Sequence, residues 1–259
     1  MILEEFDLDY EAVLNPNMVV APVNNFPEVT IACFSWQLFD AVLRSFDPTP
    51  IYTFSGYGHQ RHVFQVDYGG KCFAFYLASM GEPREIMEYE ELIAAGSKRL
   101  ILFGNCGVLD KSIEDCGIII PTQAIRDEGC SYHYAPPGDI LPVNNQYAEL
   151  FREVLREANL PWIEGITWTT DAIYRETRKK VELRRKQGAI CVEMECAGMQ
   201  ALCSFRNTEF FQFFYAGDNL DGATWEPRSV HGHLRLDDKC KIALLAFELG
   251  YKIQNSKKS

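Results

Sequence analysis

Short apolar runs alternate with stretches whose apolar residues recur at helical spacing, from about residue 29 to residue 251. Residues 29–33 read as a strand, and residues 36–46 place Leu38, Phe39, Val42 and Leu43 on one helix face. Residues 62–68 and 71–79 flank Gly69-Gly70, which predicts a hairpin because glycines supply the positive φ of a tight hairpin turn. Residues 85–95, after Pro83, predict a helix. Residues 100–103 predict a buried strand that stops at the glycine turn Gly104-Asn105-Cys106-Gly107. Further strands are expected at residues 117–125, 163–168, 189–192 and 210–216, the last being the most apolar. Helices are expected at 146–158, with Tyr147, Leu150, Phe151, Val154 and Leu155 on one face, and at 178–186, 195–205 and 236–251.

Apolar strands that alternate with helices predict an α/β fold. The expected architecture is a central mixed, largely parallel twisted sheet flanked by helices, a three-layer sandwich. No Pro/Ser/Gly-rich linker and no internal repeat divides the chain, so residues 1–259 are expected to form one domain. The polar, basic stretch 254–259 is expected to be a frayed tail. In such folds ligands bind at the carboxyl ends of the strands.

Composition narrows the partners. Lys plus Arg number 25 against 36 Asp plus Glu, a net charge of −11. An acidic surface repels a phosphate backbone, so no nucleic-acid partner is expected. Nine cysteines, an odd number without a CxxC, argue against a disulfide framework or a zinc ribbon and predict a reducing, cytoplasmic location. No apolar run reaches about 18 residues, so no membrane association is expected. The first ten residues carry Glu4, Glu5, Asp7 and Asp9 with no basic residue, unlike a signal peptide.

Four strand ends carry candidate chemistry. Gly104-Asn105-Cys106-Gly107 offers close backbone approach and N–H groups for an anion, or is a plain tight turn. Val192-Glu193-Met194-Glu195-Cys196-Ala197 places two carboxylates around a methionine. A carboxylate can accept from both hydroxyls of a vicinal diol, although one acid would also suit a helix N-terminus. Asp218, in Ala216-Gly217-Asp218-Asn219, directly follows the most apolar strand. The polar stretch from Thr169 to Thr177 could rim a pocket or cap a helix. His231 and His233 lack an acidic third ligand, so no metal is expected. Gly56 and Gly58 lack the third glycine of a dinucleotide fingerprint, and no GxSxG elbow is present.

In order and spacing these stations resemble the nucleoside phosphorylase superfamily, in its hexameric purine nucleoside and uridine phosphorylase branch. Four segments carry the resemblance, within about residues 60–225: residues 99–108, 124–137, 169–177 and 192–198. The resemblance implies that Glu195 holds the ribose 2′- and 3′-hydroxyls, that Met194 packs against the sugar and that Glu193 supports the signature. Gly104, Asn105, Cys106 and Gly107 would form the phosphate–ribose loop, with Asn105 where the family has Ser or Thr. Ile173 and Tyr174 would line the base pocket. Asp218 falls where purine-specific members place an acid facing N7, and Arg228 would polarise it.

The resemblance further implies cleavage of an N-glycosidic bond, with inorganic phosphate as co-substrate, no cofactor, and a homo-oligomer, dimer or hexamer. Two features depart from the pattern. Leu102 stands where phosphorolytic members have an Arg, and Cys33-Phe34-Ser35-Trp36 replaces their Gly-Asp-Pro-x-Arg-like loop. Residues 1–25 are an atypical start. Arg61 and Arg84 are the candidate replacement phosphate cations. The leading expectation is phosphorolysis of a purine nucleoside to free base and (deoxy)ribose 1-phosphate. The alternatives are a hydrolytic nucleosidase of the same fold, and a nucleoside-binding protein with little catalysis.

Overall fold

The computed structural model describes residues 2–54, 60–144 and 146–256. Gly56 and Gly58 lie outside them, as do the last three residues of the tail.

Ten strands form one mixed sheet: β1 (Val29–Cys33), β2 (Thr49–Phe54), β3 (Arg61–Tyr68), β4 (Lys71–Leu77), β5 (Arg99–Val108), β6 (Ile118–Asp127), β7 (Ile140–Pro142), β8 (Trp162–Thr170), β9 (Ala189–Glu193) and β10 (Glu209–Asn219). Among the described residues six α-helices flank it: α1 (Trp36–Leu43), α2 (Glu82–Ala95), α3 (Ala148–Glu157), α4 (Arg178–Lys186), α5 (Cys196–Phe205) and α6 (Leu236–Ser256). The strand order is β10-β6-β8-β9-β5-β1-β4-β3-β2, and β10 also pairs with β5. The strands β10, β6, β8, β9 and β5 therefore close into a ring. Pairing is parallel for β1 with β4 and β5, β10 with β5, and β8 with β6 and β9.

The central strands are buried on both faces, and successive side chains alternate between two cores. Ile31, Ile101, Phe103, Phe73 and Phe75 pack with Leu38 and Val42 of α1, Phe151 of α3 and Phe247 of α6. Their neighbours Ala32, Leu100, Leu102, Ala74 and Tyr76 pack with Ile86, Tyr89 and Leu92 of α2 and Met199 and Leu202 of α5. This two-sided burial is why these strands read as unbroken apolar runs. The Gly69-Gly70 hairpin forms as expected, with φ of 59° and 73° at its two glycines.

Three expectations change. Residues 104–107 are not a turn: they lie inside β5 and pair with β10. Their glycines serve close approach, since a Cβ on Gly104 would stand 2.7 Å from the Phe34 ring and one on Gly107 2.4 Å from Leu220. The tail is not frayed from residue 254, because α6 continues through Ser256 and buries Ile253. Residues 49–54 form β2 where the sequence predicts no strand, because their pattern is mostly half-exposed and lacks a clean alternation. No helix among the described residues is long and apolar enough to cross a membrane.

Candidate active site

A cleft of about 520 Å³ opens where β5, β9 and β10 end, within the size range of small-molecule sites. Asn105, Cys106 and Gly107 of β5 line it, with Glu193, Met194, Glu195, Asp218, Ile173 and Tyr174. Four separated sequence segments thus meet at one place. Phe34, Met80, Glu176, Arg178, Val181, Val192, Leu220, Trp225 and Val230 complete the wall.

Asp218 does not end its strand, which runs on to Asn219. The pairing of β10 with β5 slips between Ala216 and Asp218, leaving Gly217 out of register. Such a bulge re-aims the following side chain, here into the cleft. Trp225 Nε1–H donates to Asp218 Oδ2 at 2.6 Å. Burial pushes the Asp218 carboxyl up, opposed first by the Trp225 bond and then by the Arg228 charge. A carboxyl so placed keeps its proton to a higher pH than an exposed one.

Arg228 acts on Asp218 through its charge and not through a hydrogen bond. Its guanidinium donates to the carbonyls of Ile113 (2.7 Å) and Lys111 (3.5 Å) and pairs with Glu226. The residue that grips Asp218 is Trp225, a half-exposed side chain whose Nε1–H reaches the carboxyl; nothing in a loop sequence indicates which acid an indole N–H will meet.

Glu193 is buried and structural in its bonding. Its Oε2 accepts from the backbone N–H of Glu195 (2.8 Å) and Cys196 (2.7 Å), and its Oε1 accepts from Thr169 Oγ1 at 2.6 Å. Burial pushes its carboxyl up to about 7, against those hydrogen bonds. Glu195 accepts from Gly81 N–H at 2.7 Å. Burial, and then the neighbouring Glu193, push it well above the usual carboxylate range. Burial also raises the Cys106 thiol well above its ordinary value, so it is not a thiolate.

The two candidate phosphate cations are placed elsewhere. Arg61 and Arg84 both pair with Glu88 on α2, and Arg61 also donates to the Leu77 carbonyl at 2.7 Å. Neither lines the cleft. The one Lys or Arg among the described lining residues is Arg178, whose guanidinium donates to the carbonyls of Leu220 (2.8 Å) and Ala223 (3.2 Å).

Glu176 is a further lining acid, in the stretch expected to rim the pocket. Burial pushes its carboxyl up to about 8, and the Asp218 charge adds to that. The folded chain therefore holds this proton more tightly than the unfolded chain, whose ordinary value is 4.5. Its contribution to stability falls as pH rises from about 4.5 to about 8 and stays low above that. Glu176→Gln should thus gain stability over the parent between about pH 5 and pH 9, on the order of 2 kcal/mol. Paired denaturation curves across that range check this; a pH-independent difference would remove Glu176 from a buried setting.

Residues 28–244 match the family described as "Phosphorylase superfamily". A DeoD-type purine nucleoside phosphorylase of Caldanaerobacter subterraneus subsp. tengcongensis is 28% identical over 202 residues, 75% of this chain and 80% of that one. An uncharacterised protein of Acanthamoeba polyphaga mimivirus is 26% identical over 165 residues, and the match spans 63% of each. The fold superposes on Toxoplasma gondii purine nucleoside phosphorylase, solved in complex with immucillin-H, with a TM-score of 0.75 at 19% identity, covering 91% of this chain and 97% of that one. Uridine phosphorylase from Vibrio fischeri gives 0.74 at 16% identity, covering 93% and 98%. With strands, cleft and family match in agreement, the chain belongs to the phosphorylase superfamily.

Proposed function

We propose that this cleft cleaves the N-glycosidic bond of a purine nucleoside by phosphorolysis, yielding free base and (deoxy)ribose 1-phosphate. The observation that carries the reading is the meeting of Asp218, Met194 and Glu195 in one cleft, an acid for the base together with a carboxyl and thioether for the sugar. Glu195 takes the ribose 2′- and 3′-hydroxyls. As the C1′–N bond breaks, its electron pair passes to the base, and the Asp218 proton moves to a ring nitrogen so that the base leaves neutral. A phosphate oxygen then bonds to C1′. The DeoD-type relative supports a purine, as does an acid at position 218. The site works without a cofactor, in a cytoplasmic homo-oligomer, dimer or hexamer.

One observation favours a second reading, hydrolysis. Arg61 and Arg84 are engaged by Glu88, and Arg178 by backbone carbonyls. Water in place of phosphate needs none of them. A nucleoside panel assayed with and without phosphate separates the two. Base release that requires phosphate and yields the 1-phosphate supports phosphorolysis; phosphate-indifferent release of free sugar makes the protein a nucleosidase. Absence of base release from every nucleoside tested would overturn both.

A further inference from the structure

Glu195 stands at the N-cap of α5, yet its side chain makes no cap bond there. An N-cap side chain ordinarily accepts from the N–H two or three residues on, here Ala197 or Gly198. Both positions are already filled. Ala197 N–H donates to Thr169 Oγ1 at 3.2 Å, and Gly198 N–H donates to Glu82 Oε1 at 2.7 Å. Glu82 comes from the first turn of a different helix, α2, whose own N-cap residue, Gly81, donates its N–H to Glu195 Oε1 at 2.7 Å. The two helix N-termini therefore exchange one hydrogen bond each. The approach needs a glycine: a Cβ on residue 198 would stand 2.5 Å from the Glu82 carboxyl.

We propose that Glu82 is a positioning residue that acts as a substitute cap for α5, keeping the Glu195 carboxyl off its own helix and directed to the sugar end of the cleft. Without an acceptor at position 82, Gly198 N–H is an orphan, and Glu195 is the side chain nearest in sequence to satisfy it. Substrate would then have to displace Glu195 from its own cap. Burial, and then a hydrogen bond with Glu128, push the Glu82 carboxyl well above its ordinary range, and Gln keeps both its shape and a carbonyl acceptor. This inference rests on the proposed nucleoside cleavage, with Glu195 on the ribose hydroxyls.

The test compares Glu82→Met and Glu82→Gln with the parent protein, on a ribonucleoside that the parent cleaves and on its 2′,3′-dideoxy analogue. Gln keeps a carbonyl for Gly198 and should hold kcat/KM within about threefold of the parent. Met removes the acceptor without leaving a buried charge. It should lower kcat/KM on the ribonucleoside about 10- to 100-fold, through loss of a bond to Glu195. On the dideoxy analogue, which gives Glu195 nothing to hold, it should change little. In a Glu195→Ala background the loss caused by Glu82→Met should vanish. An equal loss on both substrates, or a loss that persists undiminished in the Glu195→Ala background, would overturn the inference. Should Glu82→Met not fold, a large loss in Glu82→Gln alone would also overturn it. A parent protein that cleaves no nucleoside refutes the proposed function instead, which keeps the two failures distinct.

Discussion

Asp218→Asn should lower kcat on a purine nucleoside about 100- to 10,000-fold, the range of a lost general acid, while KM stays within a few-fold. The amide keeps the shape and still accepts the 2.6 Å bond from Trp225. It has no acidic proton to give the departing base, so the loss falls on chemistry rather than binding. The parent should also show an alkaline limb as Asp218 ionises, displaced upward because burial raises this carboxyl. The variant should lack that limb. Steady-state kinetics across pH check both points, and equal turnover by the two proteins would sink the role of Asp218.

Glu195→Ala should be comparably severe but different in kind. Burial favours the neutral Glu195 carboxyl in the free site, but two ribose hydroxyls donating to it favour its anion, and each such charge-assisted bond is worth about 1.5–3 kcal/mol. Their joint loss corresponds to roughly a 100- to 10,000-fold fall in kcat/KM on a ribonucleoside. A 2′-deoxynucleoside already lacks one of the bonds, so it should lose less, and discrimination between the two sugars should narrow. The substitution also leaves Gly81 N–H without its acceptor, which loosens the start of α2. Kinetics on the matched pair of nucleosides are the check: unchanged values on the ribonucleoside would take Glu195 out of the site.

The contrast between these carboxyls lies in what holds them. Glu193 is consumed by the fold, with backbone N–H groups and threonine hydroxyls on its two oxygens. Asp218 is gripped on one oxygen by an indole. Glu195 accepts from one backbone group and still lines the cleft. The two acids of this signature both line the cleft but differ in how far the fold occupies them, a distinction invisible in the string Glu193-Met194-Glu195.

The sequence by itself determined the alternation of strands and helices, because strands buried on both faces must be apolar throughout and amphipathic helices must repeat near 3.6 residues. Those two periodicities located α4 and β1 at their observed ends and the hairpin at Gly69-Gly70. It also marked Asp218 and Glu195, with Met194 between Glu193 and Glu195, since polar residues directly after apolar runs stand near the carboxyl ends of strands. Glycines misled it at residues 104–107: a missing Cβ serves a turn or a close neighbour equally well, and only the Phe34 and Leu220 side chains across the gap tell which. Tertiary structure alone decided the distant partners of Arg61 and Arg228. Arg61 finds Glu88 and the Leu77 carbonyl, and Arg228 the Ile113 and Lys111 carbonyls, on elements distant in sequence, whereas Arg84–Glu88 is a pair four residues apart on one helix; a long cation's distant partners depend on through-space distance. The same holds for Trp225 on Asp218 and for Glu82 on α5, contacts made when separate segments pack together and absent from any local pattern.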